Sequence, residues 1–154
     1  MERLKIVLLG SICVGKTSII DQYIRNGFYE LFEKTIVAEK SIKEIVLNDG
    51  KKIDLEIWDT PGSKIYISVS KHCLKNAKIV LLIYDITDKR SFEELNYFYN
   101  DICEMNEKEN IFFVLLQINV IYMKIKLFHL NLEKNMQIQL MLYFLKQVLL
   151  TMKI

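Results

Sequence analysis

The segment GSICVGKT, residues 10–17, carries residue types that together can hold a chain of phosphates. It fits the pattern G-x-x-x-x-G-K-[ST], in which Gly10 and Gly15 let backbone N–H groups surround an anion. Lys16 can reach the outer phosphates, and the hydroxyl of Thr17 can bind Mg²⁺. The segment follows an apolar run and opens a helical pattern, whose N-terminus adds partial positive charge. An ordinary glycine loop is the alternative, and the strand-loop-helix context argues against it. We name residues 10–17 the phosphate loop.

A second segment, IWDTPG at residues 57–62, offers a carboxylate and a glycine at the end of an apolar run. Asp59 can hold Mg²⁺ there, usually through water, and Gly62 can bring a backbone N–H against a terminal phosphate. Thr35, in the polar stretch between the two segments, offers a hydroxyl that can complete the Mg²⁺ shell when a third phosphate is present. A common turn and a surface threonine are the alternatives, and the position of both after a phosphate loop favours a metal site.

These residues need a scaffold that brings them to one edge. Apolar runs and helical spacing alternate along the chain: strands are predicted at 3–9, 78–86 and 110–116, helices at 16–27 and 91–105, and a hairpin at 41–59 around Asn48-Asp49-Gly50. Strands separated by helices imply a mostly parallel α/β sheet with right-handed crossovers. Ligands bind at the carboxyl ends of such strands.

The apolar faces of the two predicted helices follow a helical period. The first face contains Ile19, Ile20, Tyr23 and Ile24, and the second contains Phe92, Leu95, Phe98, Tyr99 and Ile102. Both faces are expected to pack on the sheet.

Length and composition set the class of protein. The chain has 154 residues, which predicts one domain, and a net charge of +2, which is too small to argue for nucleic-acid binding. Cys13, Cys73 and Cys103 show no paired-ligand spacing, so neither a disulfide framework nor a zinc site is expected. We find no signal peptide or membrane-spanning run, and no cysteine in the last residues for a prenyl anchor, so a cytoplasmic setting is expected.

The composition changes sharply near residue 116. All five glycines and the single proline precede residue 63, and Glu133 is the only one of the 19 acidic residues to follow residue 117. Residues 1–116 carry 16 basic and 18 acidic side chains, whereas residues 117–154 carry five basic side chains and one acidic side chain. Because the tail lacks the Gly, Pro and Asp that form turns, we predict a domain at 1–116 followed by an aberrant hydrophobic tail at 117–154.

The motifs GSICVGKT, Thr35, WDTPG and LLIYDITDKRSFEEL resemble those of the Ras superfamily of small GTPases, and most nearly its Rab branch. The resemblance covers residues 1 to about 116. It implies an α/β fold of the P-loop NTPase type and a switch that binds GTP or GDP with Mg²⁺ and hydrolyses GTP. By family, the partners are an exchange factor, a GTPase-activating protein and effectors of vesicle trafficking.

The resemblance also assigns roles to individual positions. Thr17, Thr35 and Asp59 match the magnesium ligands, and Lys16, Thr35 and Gly62 match the residues around the reacting phosphate. Phe28 matches the aromatic that packs on guanine, although a core contact is equally plausible. The full nucleotide-binding set implied is Gly10, Val14, Gly15, Lys16, Thr17, Ser18, Phe28, Thr35, Asp59 and Gly62.

Several positions depart from the family pattern. Ser63 stands where the family has a glutamine that orients the attacking water, so we expect slow intrinsic hydrolysis. Ile12 occupies a position that is normally small, and its bulk would crowd the terminal phosphate. The segment TIVAEK, residues 35–40, lacks the glycine and aromatic ending of Rab effector loops, which argues against a standard effector set.

The base-reading motif Asn-Lys-x-Asp, which ends the family's fifth strand, is absent, and Tyr122, Met123 and Lys124 do not replace it. We hypothesise that a shifted reading frame is the cause. Codons that join the third base of one residue to the first two of the next can spell Asn-Lys-Cys-Asp across 117–121. The same frame can spell Glu-Thr-Ser-Ala, the family's second base-reading motif, across 145–149.

The shifted frame leaves three hypotheses open. The first is a Rab-like GTPase whose last third is altered by the shift, with peripheral endomembrane association if the true terminus carries prenylated cysteines. The second is a nucleotide-binding remnant, and the third is a non-hydrolysing interaction module. A divergent tail that packs as helices is the alternative to the frameshift itself. The tail is also expected to mispair with, or cover, the open edge of the sheet.

Overall fold

Six strands form a single sheet with helices against it. The computed structural model describes residues 2–25, 34–47, 50–63, 72–104, 111–118 and, for the backbone alone, 125–128. The strands are β1 (Glu2–Leu9), β2 (Glu39–Val46), β3 (Lys52–Asp59), β4 (Ile79–Asp85), β5 (Phe112–Ile118) and β6 (Ile125–Phe128). Two helices are described, α1 (Lys16–Arg25) and α2 (Lys89–Cys103).

The strand order across the sheet is β2-β3-β1-β4-β5-β6. β1 pairs in parallel with both β3 and β4, and β4 pairs in parallel with β5. The outer strands β2 and β6 pair antiparallel with their neighbours. The mostly parallel α/β sheet predicted from the sequence is therefore confirmed, and the carboxyl ends of β1, β3, β4 and β5 meet at one edge.

The core lies on both faces of this sheet. Successive residues of β1 alternate between the faces: Ile6 and Leu8 join the cluster beneath α1, and Val7 and Leu9 join the cluster beneath α2. All four side chains are buried, as expected for a central parallel strand that is covered on both sides.

Both helices pack on the sheet through most of the residues that their sequences predict, with two differences in the second helix. Ile19, Ile20 and Tyr23 of α1 are buried against the sheet. Helix α2 begins two residues before the predicted start because the Asp88 side chain accepts a hydrogen bond from the Arg90 backbone N–H and caps the helix. Its buried positions include Leu95, Phe98 and Ile102, whereas Phe92 and Tyr99 remain partly exposed.

The two edge strands of the sheet come from different parts of the chain. The β2–β3 hairpin is confirmed, and it turns at Gly50 with φ of +83°, while Asn48 and Asp49 lie outside the described residues. At the other edge, β6 comes from the tail and pairs with residues 113–116 of β5. Within the described ranges, neither helix is long and apolar enough to cross a bilayer.

Candidate functional site

The phosphate loop connects β1 to α1 and holds a buried ammonium group. The Nζ atom of Lys16 donates to the backbone oxygens of Gly10 and Ser11, each at 2.8 Å, and the residue is 5% exposed. Burial lowers the pKa of Lys16 to about 8, and the negative charge of Asp59 partly opposes this shift. The loop thus keeps a cation next to its own backbone, where a bound phosphate would favour the protonated form.

A carboxylate and two hydroxyl groups converge beside this ammonium. Oδ2 of Asp59, the last residue of β3, accepts from the hydroxyl of Thr17 at 2.6 Å and from that of Thr35 at 3.3 Å. The two hydroxyl oxygens lie 3.0 Å apart. The end of β3, the first turn of α1 and the segment before β2 therefore meet at one point, as the sequence predicts for these three residues.

The second carboxylate oxygen shows that this cluster fits a metal ion. Oδ1 of Asp59 is buried and has no hydrogen-bond partner among the described residues. Burial raises the pKa of Asp59, while the Thr17 hydrogen bond and the charge of Lys16 oppose the shift. A carboxylate and two hydroxyls are hard oxygen ligands of the kind that Mg²⁺ prefers. The three residues fit the magnesium site that the resemblance implies.

The Asp-Thr-Pro-Gly segment, residues 59–62, lies directly on the phosphate loop. The Thr60 hydroxyl donates to the backbone oxygen of Leu8 at 2.6 Å, which fixes the segment to β1. A Cβ placed on Gly62 would lie 2.4 Å from both the backbone nitrogen of Ile12 and the backbone oxygen of Ser11. This approach leaves no room for a side chain, so position 62 requires glycine.

The remaining predicted residues contribute less directly. Val14 is buried in the core, so only its backbone faces a ligand, and Ser18 lies half-buried in the first turn of α1. Ile12 is 50% exposed, and Ser63 is half-buried at the end of a described range. Phe28 lies outside the described residues.

One hydrogen bond of the site could not be predicted from the sequence motifs. The hydroxyl of Ser11 donates to Oε2 of Glu94 on α2 at 2.6 Å, and Ser11 is buried. The two residues are 83 positions apart in sequence, and neither is a fixed position of the phosphate-loop pattern. The only sequence signal is that both belong to segments that the fold brings to the same sheet edge.

Several known proteins are similar in sequence to this chain. The model of the Ras family matches residues 5–141. A probable Rab-related GTPase of Acanthamoeba polyphaga mimivirus is 37% identical over 98 residues, which cover 64% of this chain and 46% of that protein. Ras-related protein Rab-12 of Mus musculus is 38% identical over 93 residues, covering 60% of this chain and 38% of the relative.

A third relative extends further along the chain. The GTP-binding protein ypt2 of Schizosaccharomyces pombe is 33% identical over 113 residues, covering 73% of this chain and 56% of the relative. The chain thus spans about half the length of the curated relatives it matches. Since the family model covers most of the sequence and includes both the phosphate loop and the Asp-Thr-Pro-Gly segment, the chain belongs to the Ras family.

Proposed function

We propose that this chain is a Rab-like molecular switch that binds GTP with Mg²⁺ and hydrolyses it to GDP. The observation that carries the proposal is the meeting of the Thr17 and Thr35 hydroxyls at Asp59, beside the buried ammonium of Lys16. A positive charge, backbone N–H groups and oxygen ligands at one sheet edge are what a magnesium-bound triphosphate needs.

Each residue has a separate task in this proposal. Lys16 neutralises the outer phosphates and stays protonated in their presence, which reverses the effect of burial on its pKa. Thr17 and Asp59 would hold Mg²⁺, which when bound would supply positive charge to offset the negative charge of the transferred phosphoryl group. Gly62, already in contact with the phosphate loop, offers its backbone N–H to the terminal phosphate.

The switch rests on Thr35 and Gly62, which belong to two different segments. Thr35 is expected to bind the metal only while a third phosphate is present, so the backbone next to it would change with hydrolysis. Ile36 and Val37, the next two residues, are 63% and 69% exposed. An apolar surface beside the sensing threonine suits effector recognition, and exchange and GTPase-activating proteins are the further partners proposed by family.

We infer slow turnover from two positions of this chain. Ser63 has no side-chain amide with which to orient the attacking water, and its side chain is short. Ile12 places a branched side chain on the part of the loop that Gly62 approaches, since a Cβ on Gly62 would lie 2.4 Å from the Ile12 backbone nitrogen. Both features would hinder hydrolysis rather than binding, so a long-lived GTP state is expected.

We also propose that residues 117–154 arise from a shifted reading frame, after a GTPase domain at 1–116. The proposal is supported by the two base-reading motifs that one alternative frame can spell. A frame-corrected chain would read Asn-Lys-Cys-Asp after β5, and it would be a cytoplasmic protein that associates with endomembranes if its terminus carries prenylated cysteines.

Binding of a fluorescent GTP analogue in the presence of Mg²⁺ tests the proposed function. The chain with the present sequence (the written chain) and the frame-corrected chain should both bind the analogue. A chelator of Mg²⁺ should release the nucleotide from each. Thr17→Val, which keeps the size of the side chain and removes its hydroxyl, should abolish the Mg²⁺ effect. Binding that changes neither on removal of Mg²⁺ nor in Thr17→Val would refute the proposed magnesium site.

A non-hydrolysing interaction module is the second candidate, and Ser63 is the observation that favours it. Single-turnover phosphate release separates the two. Slow release that Ser63→Gln accelerates supports the hydrolase, because the amide restores a group that can orient water. Bound GTP that stays intact in both proteins supports the interaction module.

A further inference from the structure

The side chains of β5 alternate between the two faces of the sheet up to the carboxyl end of the strand. Val114, Leu116 and Ile118 join the core cluster on the α1 face, which is the face of the phosphate loop. Phe113 and Leu115 pack on the opposite face, beneath α2. The residue that faces the phosphate loop from the last position of β5 is therefore an isoleucine.

The polar residue next to it faces the other way. The Oε1 atom of Gln117 accepts a hydrogen bond from the Tyr84 hydroxyl at 2.6 Å. Tyr84 is the β4 residue directly opposite Gln117, and its ring meets that of Phe92 on α2 edge-on, at 5.0 Å between centroids. The carboxamide oxygen is thus engaged on the α2 face.

Ile118 closes against the phosphate loop. It is 8% exposed and shares its cluster with Val14, and a Cβ placed on Gly15 would lie 2.9 Å from its Cδ1 atom. Its backbone oxygen accepts from the Ile86 backbone N–H at 3.2 Å, which holds the strand end in place. β5 therefore places a hydrocarbon side chain against the phosphate loop.

Selecting guanine over other bases needs polar groups that match its edge. A site rejects an analogue strongly when buried polar groups would be left unpaired, and only weakly when its wall is hydrocarbon. The Ile118 side chain offers no donor or acceptor, so a base placed beside it would meet only hydrocarbon. The sequence contains no Asp after β5, and its single acidic residue there, Glu133, is not adjacent to the strand end, so the Asn-Lys-x-Asp motif that would pair with guanine is absent.

We infer that the chain as written binds a magnesium-bound nucleoside triphosphate without selecting the base. This inference rests on the phosphate site of the proposed function and concerns only what that site accepts. Lys16, Thr17 and Asp59 recognise the phosphates and the metal, which are identical in GTP, ATP and CTP. Ile118 adds an apolar contact that does not distinguish purines from each other or from a pyrimidine.

Competition against a fluorescent GTP analogue tests this inference with the full chain in excess Mg²⁺. Unlabelled GTP, ATP and CTP should displace the probe with affinities within about threefold of one another, because a hydrocarbon wall discriminates weakly. The frame-corrected chain, with Asn-Lys-Cys-Asp after β5, is the matched control and should prefer GTP by more than tenfold. Lys16→Met should lose all three nucleotides together, and removal of Mg²⁺ gives the same check without a substitution.

The outcomes separate the two proposals. A preference of the written chain for GTP over ATP or CTP of tenfold or more would overturn base indifference while leaving the proposed phosphate site intact. Absence of binding by all three nucleotides would overturn the phosphate site and, with it, this inference. Similar affinities that fall together in Lys16→Met support both.

Discussion

The ends of β3 and β5 lie at the same edge of one sheet, yet they differ in chemistry. β3 ends in Asp59, a buried carboxylate that joins two hydroxyl groups from two other segments. β5 ends in Ile118, which packs its hydrocarbon side chain on the phosphate loop. One strand end is polar and incompletely hydrogen-bonded, whereas the other is apolar and closed.

Under the proposed function, the contacts to phosphate and metal are built separately from any contact to the base. The contacts of Lys16, Thr17, Thr35 and Asp59 all fall within residues 10–59 and depend on β1, β3 and α1. In the proposed site, base contacts would come from the sequence that follows Ile118. A change of sequence after β5 would then remove base recognition and leave the phosphate and metal contacts in place.

Removing one polar group from each strand end should give the largest difference in GTP affinity between the two ends. Asp59→Asn should lower the Mg²⁺-dependent affinity for GTP by about 10- to 100-fold, because it removes the charge that holds the metal. Gln117→Ala should change that affinity less than twofold, because its carboxamide oxygen bonds Tyr84 on the other face. Titration of both variants by fluorescence measures this, and equal losses would contradict the separation of the two strand ends.

The charge of Lys16 predicts that the affinity of the phosphate loop for GTP depends on pH. Its pKa is about 8 without ligand, and a bound phosphate raises it, so affinity for GTP should fall as pH rises above about 8. The expected slope is about tenfold per pH unit until the pKa of the complex is reached. Lys16→Arg should bind with little change between pH 8 and 10, since a guanidinium stays charged.

The same group affects stability in the opposite direction. Between about pH 8 and the pKa near 10.5 of an exposed lysine, the unfolded chain binds more protons than the folded chain. The Lys16 contribution to the free energy of unfolding of the ligand-free protein should therefore increase with pH in that window. Urea unfolding of the wild type and Lys16→Met measures it, and a larger increase in Lys16→Met would contradict the assignment.

The hydrogen bond between Ser11 and Glu94 extends the polar half of the site to α2. Because the Ser11 backbone oxygen also accepts from Lys16, loss of its hydroxyl contact should loosen the loop around the ammonium. Glu94→Ala, which removes the acceptor, should weaken GTP binding by about three- to tenfold, equivalent to about 1 kcal/mol. Glu93→Ala is the matched control, since Glu93 pairs with Lys89 on the exposed side of α2, and it should leave binding unchanged. Similar effects of the two substitutions would contradict a specific role for Glu94.

Much of this arrangement follows from the sequence, and the rest depends on register. The apolar runs predict the sheet, and the spacing of the phosphate loop predicts the positions of Lys16 and Thr17. The direction of Ile118 could not be predicted, because a shift of one residue in the pairing of β5 with β4 would exchange it with Gln117. The contact of Ser11 with Glu94 could not be predicted either, since it spans 83 residues and follows no period.

The smallest expected effect tests the contact between Ile118 and the phosphate loop itself. Gly15 has a φ of +84°, so Gly15→Ala places a Cβ in a strained backbone conformation as well as 2.9 Å from Ile118 Cδ1. Ile118→Val removes that atom and alone should lower the free energy of unfolding by about 1 kcal/mol. In the double variant the penalty of Gly15→Ala should shrink by about 0.5–1 kcal/mol, while the backbone strain remains.

Urea unfolding of the two single variants and the double variant gives this coupling energy. Ile53→Val is the matched control, because Ile53 is equally apolar and fully buried near the start of β3, at the opposite end of the strand from Asp59. Its effect should add to that of Gly15→Ala within about 0.3–0.5 kcal/mol. If Ile118→Val were equally additive, the methyl group of Ile118 would not press on the loop, and the apolar closure of β5 against the phosphate half would have to be abandoned.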